Sequence, residues 1–508
     1  MRLRTSIVLA TVTVASCLVP NDFEKVGAVA DGGAGGAAGG GGQPGGGGSI
    51  PCEPEPQNTC GATEEDTLAG GSSGEIAITD VARVFLDSVA LVGTYTGTVD
   101  FGGAMQLSAG SGTSGFVVEL DQGTVLGLVD IPEATTGSKL FVDFAPAFNQ
   151  IAVAGRYGPG GSCGGTEGLF IRRFDETFAP VGPVVCEEVT ASTWDVTDVK
   201  IFNVAPFITV TGWLDGTIGA LTSDGVDGFT YSVDPNSANP DPFLFGGPGD
   251  AVIAAIDAAP GIDNVTLLAG DFSGTMSFSF DSGLGPQNVN VTAQGSRDLW
   301  VMAIDRFFDD PQLSVRTFGG TGGDHRMIAM MEDASPVAGD ERRSHLLATI
   351  DGPVDLGGAS VASTPRPTAL ALTFDAPNGI ANYGYRDHYL IEADALGALA
   401  MSGRDNVIYV GGHARGVLSA TKSDQPTIDV AAAQSCLNDA FILILEPELF
   451  SVSDQRCGDG TQVFEGIAAT DTGFSAALTV PAGSSIDVGD GVVSDPARRT
   501  LLLRGAPP

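Results

Sequence analysis

Lysine is almost missing from this chain, standing only at positions 25, 139, 200 and 422. With 24 basic against 62 acidic residues the formal charge is −38. So acidic a surface cannot neutralise phosphates, which excludes nucleic acid as a partner and electrostatic docking on anionic lipid. Histidine is equally scarce: His325, His345, His388 and His413 are the four, and none sits near a cysteine at ligand spacing. There is no CxxC, no HExxH and no EF-hand loop, so the zinc reading has little to stand on. Beyond the first twenty residues no run is apolar enough to span a bilayer. Two nucleotide-like or hydrolase-like patterns fail by context. Gly110-Ser-Gly-Thr-Ser-Gly115 joins two strand candidates and opens no helix, and Gly70-Gly-Ser-Ser-Gly74 lies in a linker without a strand and elbow.

What is present begins with an address. Met1-Arg-Leu-Arg, the short apolar run Ile7–Val14 and then Val14-Ala15-Ser16-Cys17 read as a cleaved export signal. The last four residues resemble the bacterial lipobox. That resemblance implies a signal peptide over residues 1–16, diacylglycerylation of the Cys17 thiol, and anchoring to the cell envelope, with Leu18 after the cysteine pointing to the outer membrane. An ordinary signal peptide that happens to contain a cysteine is the alternative. Residues 17–73 then read as a tether, because AVADGGAGGAAGGGGQPGGGGS (28–49) cannot bury a core. Setting Cys17 aside leaves three sequence-local pairs, Cys52/Cys60, Cys163/Cys186 and Cys436/Cys457. They suit disulfides in an oxidising compartment.

From residue 74 to 508 the chain repeats. The third strand candidate of each unit reads GFVVELD, GLFIRRFD, GFTYSVD, DLWVMAID, TALALTFD and DAFILILE, with ends 54, 59, 71, 70 and 71 residues apart. The second strand carries a matching glycine in LVGTYTG, AVAGRYG, TVTGWLDG, LLAGDFSG and YVGGHARG; unit five, LLATIDG, lacks it. TVDFGGAMQLS (98–108), PVDLGGASVAS (353–363) and SIDVGDGVVS (485–494) form a further set, and the last belongs to a worn seventh unit. Asn406–Gly412 (NVIYVGG), Asp439–Glu446 (DAFILILE), Phe318–Asp324 (FGGTGGD) and Phe245–Asp250 (FGGPGD) resemble the bacterial extracytoplasmic β-propeller repeats of the SBBP type. The resemblance covers roughly residues 76–508 and implies an all-β propeller, seven blades of about four antiparallel strands, in a monomer.

Burial of strand faces leads to the same architecture. Four short strands cannot bury both faces alone, and radial packing buries them while leaving short edges. A linear β solenoid competes but uses shorter, stricter periods. Trp194, Trp213 and Trp300 are too irregular for a WD or quinone-cofactor propeller, and Trp300 takes the slot of Phe116, Phe170, Phe229 and Phe441 as core. The seventh unit lacks a fourth strand of its own, so Glu75–Thr79 is expected to pair with Leu501–Arg504 and close the ring.

Chemistry is thin. Asp324, His325 and Arg326, at a unit junction, are the first binding candidates, and His413 with Arg415 the second; an ordinary turn or rim competes at each place. Asp305, Asp309 and Asp310 form the densest acidic group, either a solvated turn or a Ca²⁺ site; no other cofactor or metal is expected. The functional expectation is a non-catalytic binding or scaffolding module for an envelope protein or a glycan. A carboxylate-dependent glycan hydrolase or lyase and a purely structural or adhesive component are the alternatives.

Overall fold

A computed structural model describes residues 17–18, 64–68 and most of 74–505. Outside it lie 235–239, 259–264, 282–285, 306–312, 334–342, 376–383, 424–427, 430–434, 446–462, 481–484, 488–491, 495–498, 506–508 and some shorter breaks. The described residues are all-β, in antiparallel sheets. None of their helices is long and apolar enough to cross a membrane.

The strands group into successive meandering units. Unit one is Glu75–Arg83, Ser88–Asp100, Gln106–Asp121 and Thr124–Ile131. Unit two is Leu140–Ala145, Gln150–Tyr157, Gly168–Asp175 and the start of the long strand Val185–Ile201, whose remainder opens unit three. Unit three continues with Ile208–Ile218, Asp227–Val233 and Asp241–Phe245. Unit four is Ala251–Ala258, Val265–Phe272, Asp298–Asp305 and Leu313–Phe318. Unit five is Asp324–Asp333, Arg343–Asp351, Thr368–Asp375 and Gly384–Glu392. Unit six contributes Ala395–Arg404, Val407–Gly416 and Ser435–Leu445. Unit seven has Val463–Thr470, Gly473–Val480 and Arg499–Gly505. First strands pack on first strands, unit one on two, two on three and so on, and unit seven on unit one. We call the end with the first-to-second and third-to-fourth turns the lower end, and the opposite one the upper end.

The glycine inside the second strand of units one to four has a packing reason. Gly93, Gly155, Gly212 and Gly270 lie opposite Phe116, Phe170, Phe229 and Trp300 of the third strand. A Cβ at Gly212 would stand 2.2 Å from the Asp195 carbonyl and 2.6 Å from the Phe229 ring; at Gly270 it would stand 1.9 Å from the Val252 carbonyl and 2.8 Å from the Trp300 indole. The missing side chain makes room for the aromatic ring, so each Gly–aromatic pair fills one volume. Unit five, which lacks the glycine, also lacks the ring: Ala348 faces Leu370. Trp300 is fully buried, as its slot implies.

Closure differs from expectation in which strand performs it. Glu75–Thr79 is part of unit one's own first strand and pairs with Gly93–Thr96. The alternating apolar residues Ile76 and Ile78 are buried, and a bulge between Ile78 and Asp80 carries the strand on to Arg83. The partner of Thr500–Arg504 is Glu64–Leu68. That segment lies inside the stretch read as tether; its Glu and Asp residues hid an edge strand, where polar side chains are at home. The fourth strand of unit two starts at Val185, after Gly182 turns the chain at φ +75°. Cys163 and Cys186 are bridged, with Cα atoms 5.7 Å apart; Cys163 precedes the third strand, and Cys186 lies inside the fourth, not after it. Cys52, Cys60 and Cys457 lie outside the described residues, so the other two pairs are not defined there.

Removing residues 64–68 should therefore lower the melting temperature of the whole domain, by roughly 5 °C or more, in one cooperative transition. Calorimetry of the shortened chain checks this, and an unchanged melt would deny the strand a closing role.

Candidate functional site

The sequence pointed to Asp324, His325 and Arg326, and the structure places them at the upper start of unit five's first strand. The preceding FGGTGGD stretch is built around a carboxylate. Asp298, at the head of the third strand of unit four, accepts the N–H groups of Gln294 (2.7 Å) and Gly295 (3.2 Å). Its carboxylate lies against Gly319, where a Cβ would come 2.0 Å from Cγ. FGGPGD repeats the arrangement: Asp227 accepts from the Asp224 N–H at 3.1 Å, and a Cβ on Gly246 would stand 1.9 Å from its Oδ1. A short hairpin arm of the next unit, Thr275–Asp281 with Pro286–Thr292 in unit four and Val354–Asp355 with Ser360–Val361 in unit five, docks on the same glycines. The Ser277 N–H donates to the Gly246 carbonyl at 2.6 Å, and the Asp355 N–H to the Gly319 carbonyl at 2.8 Å. Two sequence motifs are thus two halves of one joint, and the glycines are there because backbone passes so close.

His325 is fully buried, tucked under Gly323, and burial lowers its pKa. Arg326 reaches Asp324 at 3.6 Å and Asp271 at 3.7 Å. Asp271 in turn receives Arg297 Nη1 at 2.6 Å and the Met327 N–H at 3.1 Å, while Arg297 Nη2 lies 3.4 Å from Asp250. Charges alternate across the joint between units four and five. His413 and Arg415 occupy a separate neighbourhood in unit six: His413 is half-buried over Gly397, and the carbonyl of exposed Arg415 accepts from the Asp394 N–H at 2.9 Å. Burial lowers the His413 pKa as well. Of the acidic group at 305–310, Asp309 and Asp310 lie outside the described residues. Among the described residues no three His, Cys, Asp or Glu side chains are grouped to hold a metal ion.

The residues that sequence reasoning missed are acids inside apolar first strands: Asp80, Asp143, Asp198 and Asp257, all buried. Each of the first three reaches across to the next unit. Asp80 Oδ2 accepts the Val142 N–H at 2.8 Å, Asp143 Oδ2 the Ile201 N–H at 2.8 Å, and Asp198 Oδ2 the Ile256 N–H at 3.0 Å. Asp80 and Asp198 also accept from their own following residue, Val81 and Val199. These are latches between units, their oxygens already engaged, and so poor general bases. Lys200 lies 3.6 Å from Asp143 and 3.0 Å from Asp257. Burial works against its charge, but Asp143, Asp257 and Asp198 outweigh that and raise its pKa. Burial holds Asp80 well above the usual carboxylate range. It pushes Asp143 up to about 6, against the opposing pull of Lys200. At the lower end Asp471 joins units seven, one and six by pairing with Arg83 and Arg404. The signal that could have found these acids is a lone Asp in an apolar run, as in LFVDFA.

Two outcomes follow from this geometry. Gly319→Ala should destabilise the domain by about 1–3 kcal/mol, because the added methyl collides with Asp298; denaturant unfolding reads it. For Asp143 the folded pKa lies above the unfolded one, so the folded state holds the proton more tightly. Its contribution is then fully present below about pH 4 and is lost as pH rises through about 6. Lowering the pH from 7 towards 5 should raise the melting temperature, and Asp143→Asn should flatten that rise.

No family model matches the chain, and no curated protein matches it in sequence. Among solved structures it is similar to the acylaminoacyl peptidase of Pyrococcus horikoshii, at 8% identity and TM-score 0.35, and to an acylaminoacyl peptidase in complex with Z-Gly-Gly-Phe-chloromethyl ketone, at 7% and 0.32. In both cases the alignment covers 80% of this chain and 58% of the other, so the chain spans less than two thirds of the length of those proteins. The expectation of a non-catalytic binding or scaffolding module is corrected here. The aligned structures are peptidases and lend that role no support, and so low a TM-score transfers no activity either.

Proposed function

We propose that this chain is a seven-bladed β-propeller, exported from the cytoplasm and held at the cell envelope by a lipid on Cys17. The blade count is supported by the succession of first strands, each packed on the next and the seventh on the first. It is supported too by the latches Asp80–Val142, Asp143–Ile201 and Asp198–Ile256, which repeat one contact from unit to unit. The observation that carries the placement is Val14-Ala15-Ser16-Cys17 behind a short apolar run. The Cys163–Cys186 bridge agrees with an oxidising compartment.

Cys17 and Leu18 pair with Met401 and Ala400 of unit six. A two-residue ladder is slight beside an inserted acyl chain, which gains about 0.8 kcal/mol per buried CH₂. Lipidation would draw this segment to the membrane. Changing Cys17→Ser should abolish incorporation of labelled fatty acid and move the protein from the membrane to the soluble fraction. A variant that still sediments with membranes, or a wild-type chain that takes up no label, would overturn the reading.

A further inference from the structure

Three large apolar side chains are conspicuously exposed among the described residues: Phe85 at 40%, Leu126 at 54% and Phe207 at 37%. All three stand at the lower end of units one to three. Phe85 is in the turn between the first two strands of unit one, its ring edge-on to Phe144 at 4.6 Å. Phe207 closes the equivalent turn of unit three, its carbonyl accepting the Phe202 N–H at 3.0 Å. Leu126 is near the lower start of unit one's fourth strand. Phe148, half-buried, occupies the matching turn of unit two.

The same end receives the chain from its N-terminal side. Glu64 pairs with Arg504, and Arg504 with Ser475, beside the turn that joins the first two strands of unit seven. That turn is tied to Phe85's turn by the Thr472 N–H and hydroxyl, which both donate to Asp87 Oδ1 at 3.0 and 2.9 Å. Residues 18–63 are then all that separates the proposed lipid anchor from this apolar rim. An attachment so near raises the effective concentration of the surface at the rim, so contacts too weak to bind alone can still hold. Charge selects the kind of surface. With a formal −38 the protein is repelled by anionic lipid. Several acids at this end are already engaged within the fold: Asp87 by Thr472, Asp175 by Thr177 and Ala179, Asp471 by Arg83 and Arg404.

We infer that the lower end, through Phe85, Leu126 and Phe207, lies on a zwitterionic lipid surface and turns the upper end with its hairpin arms away from it. The inference rests on the anchoring at Cys17. The test uses the full lipidated chain in phosphatidylcholine vesicles whose acyl chains carry bromine, a short-range quencher of tryptophan. Leu126→Trp and Phe207→Trp, read against the wild-type emission, should lose most of the added fluorescence. Ser108→Trp, exposed on the upper arm of unit one, should lose none. If the protein floats with the vesicles but the lower-end tryptophans keep their emission, or Ser108→Trp is quenched equally, the orientation is overturned while the anchor stands. If the full chain does not float, the anchor falls and the inference with it.

Discussion

A chain of meandering sheets has two ends, and each end is an edge with unpaired backbone donors and acceptors. The rest of this structure depends on those two edges meeting. Among the described residues the strand beside Arg499–Gly505 of unit seven is Glu64–Leu68, brought from the other end of the sequence. The pairing spans more than four hundred residues, so its loop-closure entropy is met only after the intervening units have formed. Long-range closure of this kind makes the domain one cooperative object and its folding slow.

Within that frame, neighbouring units are held by polar contacts set in apolar walls. An aspartate in one first strand accepts a backbone N–H from the next, three times in succession. Apolar packing alone would let adjacent sheets slide or rotate, whereas a buried carboxylate has to find its donor or bear the desolvation. The arms add a second, outer contact through the glycines of FGGxGD-like stretches. The arrangement accounts for the acidic residues of the interior, and it accounts for why Asp324, His325 and Arg326 look like a site in sequence. They sit in a junction built from close backbone approaches, where Gly, Asp and Arg recur for structural reasons.

The strand pattern was legible because each third strand is a compact apolar run ending in an acid, and those ends fall where the sequence placed them, at Asp121, Asp175, Asp305 and Asp375. The second strands were legible through their glycines. The closing strand was not. Glu64-Glu-Asp-Thr-Leu68 has neither alternation nor β-branched residues beyond Thr67, and only its partner makes it a strand. The latches were missed because a single Asp in an apolar run has no local partner, and the N–H it binds lies about sixty residues away. For the candidate residues position was legible and environment was not: that His325 is sealed under Gly323 follows from packing across a turn.

The facing glycine and aromatic have a consequence for how such a chain can diverge. Where Gly270 faces Trp300, adding a methyl first would strike the indole, and shrinking the indole first would open a void. Each step alone is unfavourable, and only the two together restore a filled volume. Unit five stands on the far side of that double step, with Ala348 facing Leu370. Copies of the repeat can therefore drift apart at these two positions only as a pair, crossing a less stable intermediate. A unit that has lost its glycine should be sought by the smaller residue opposite, since neither position alone marks the repeat.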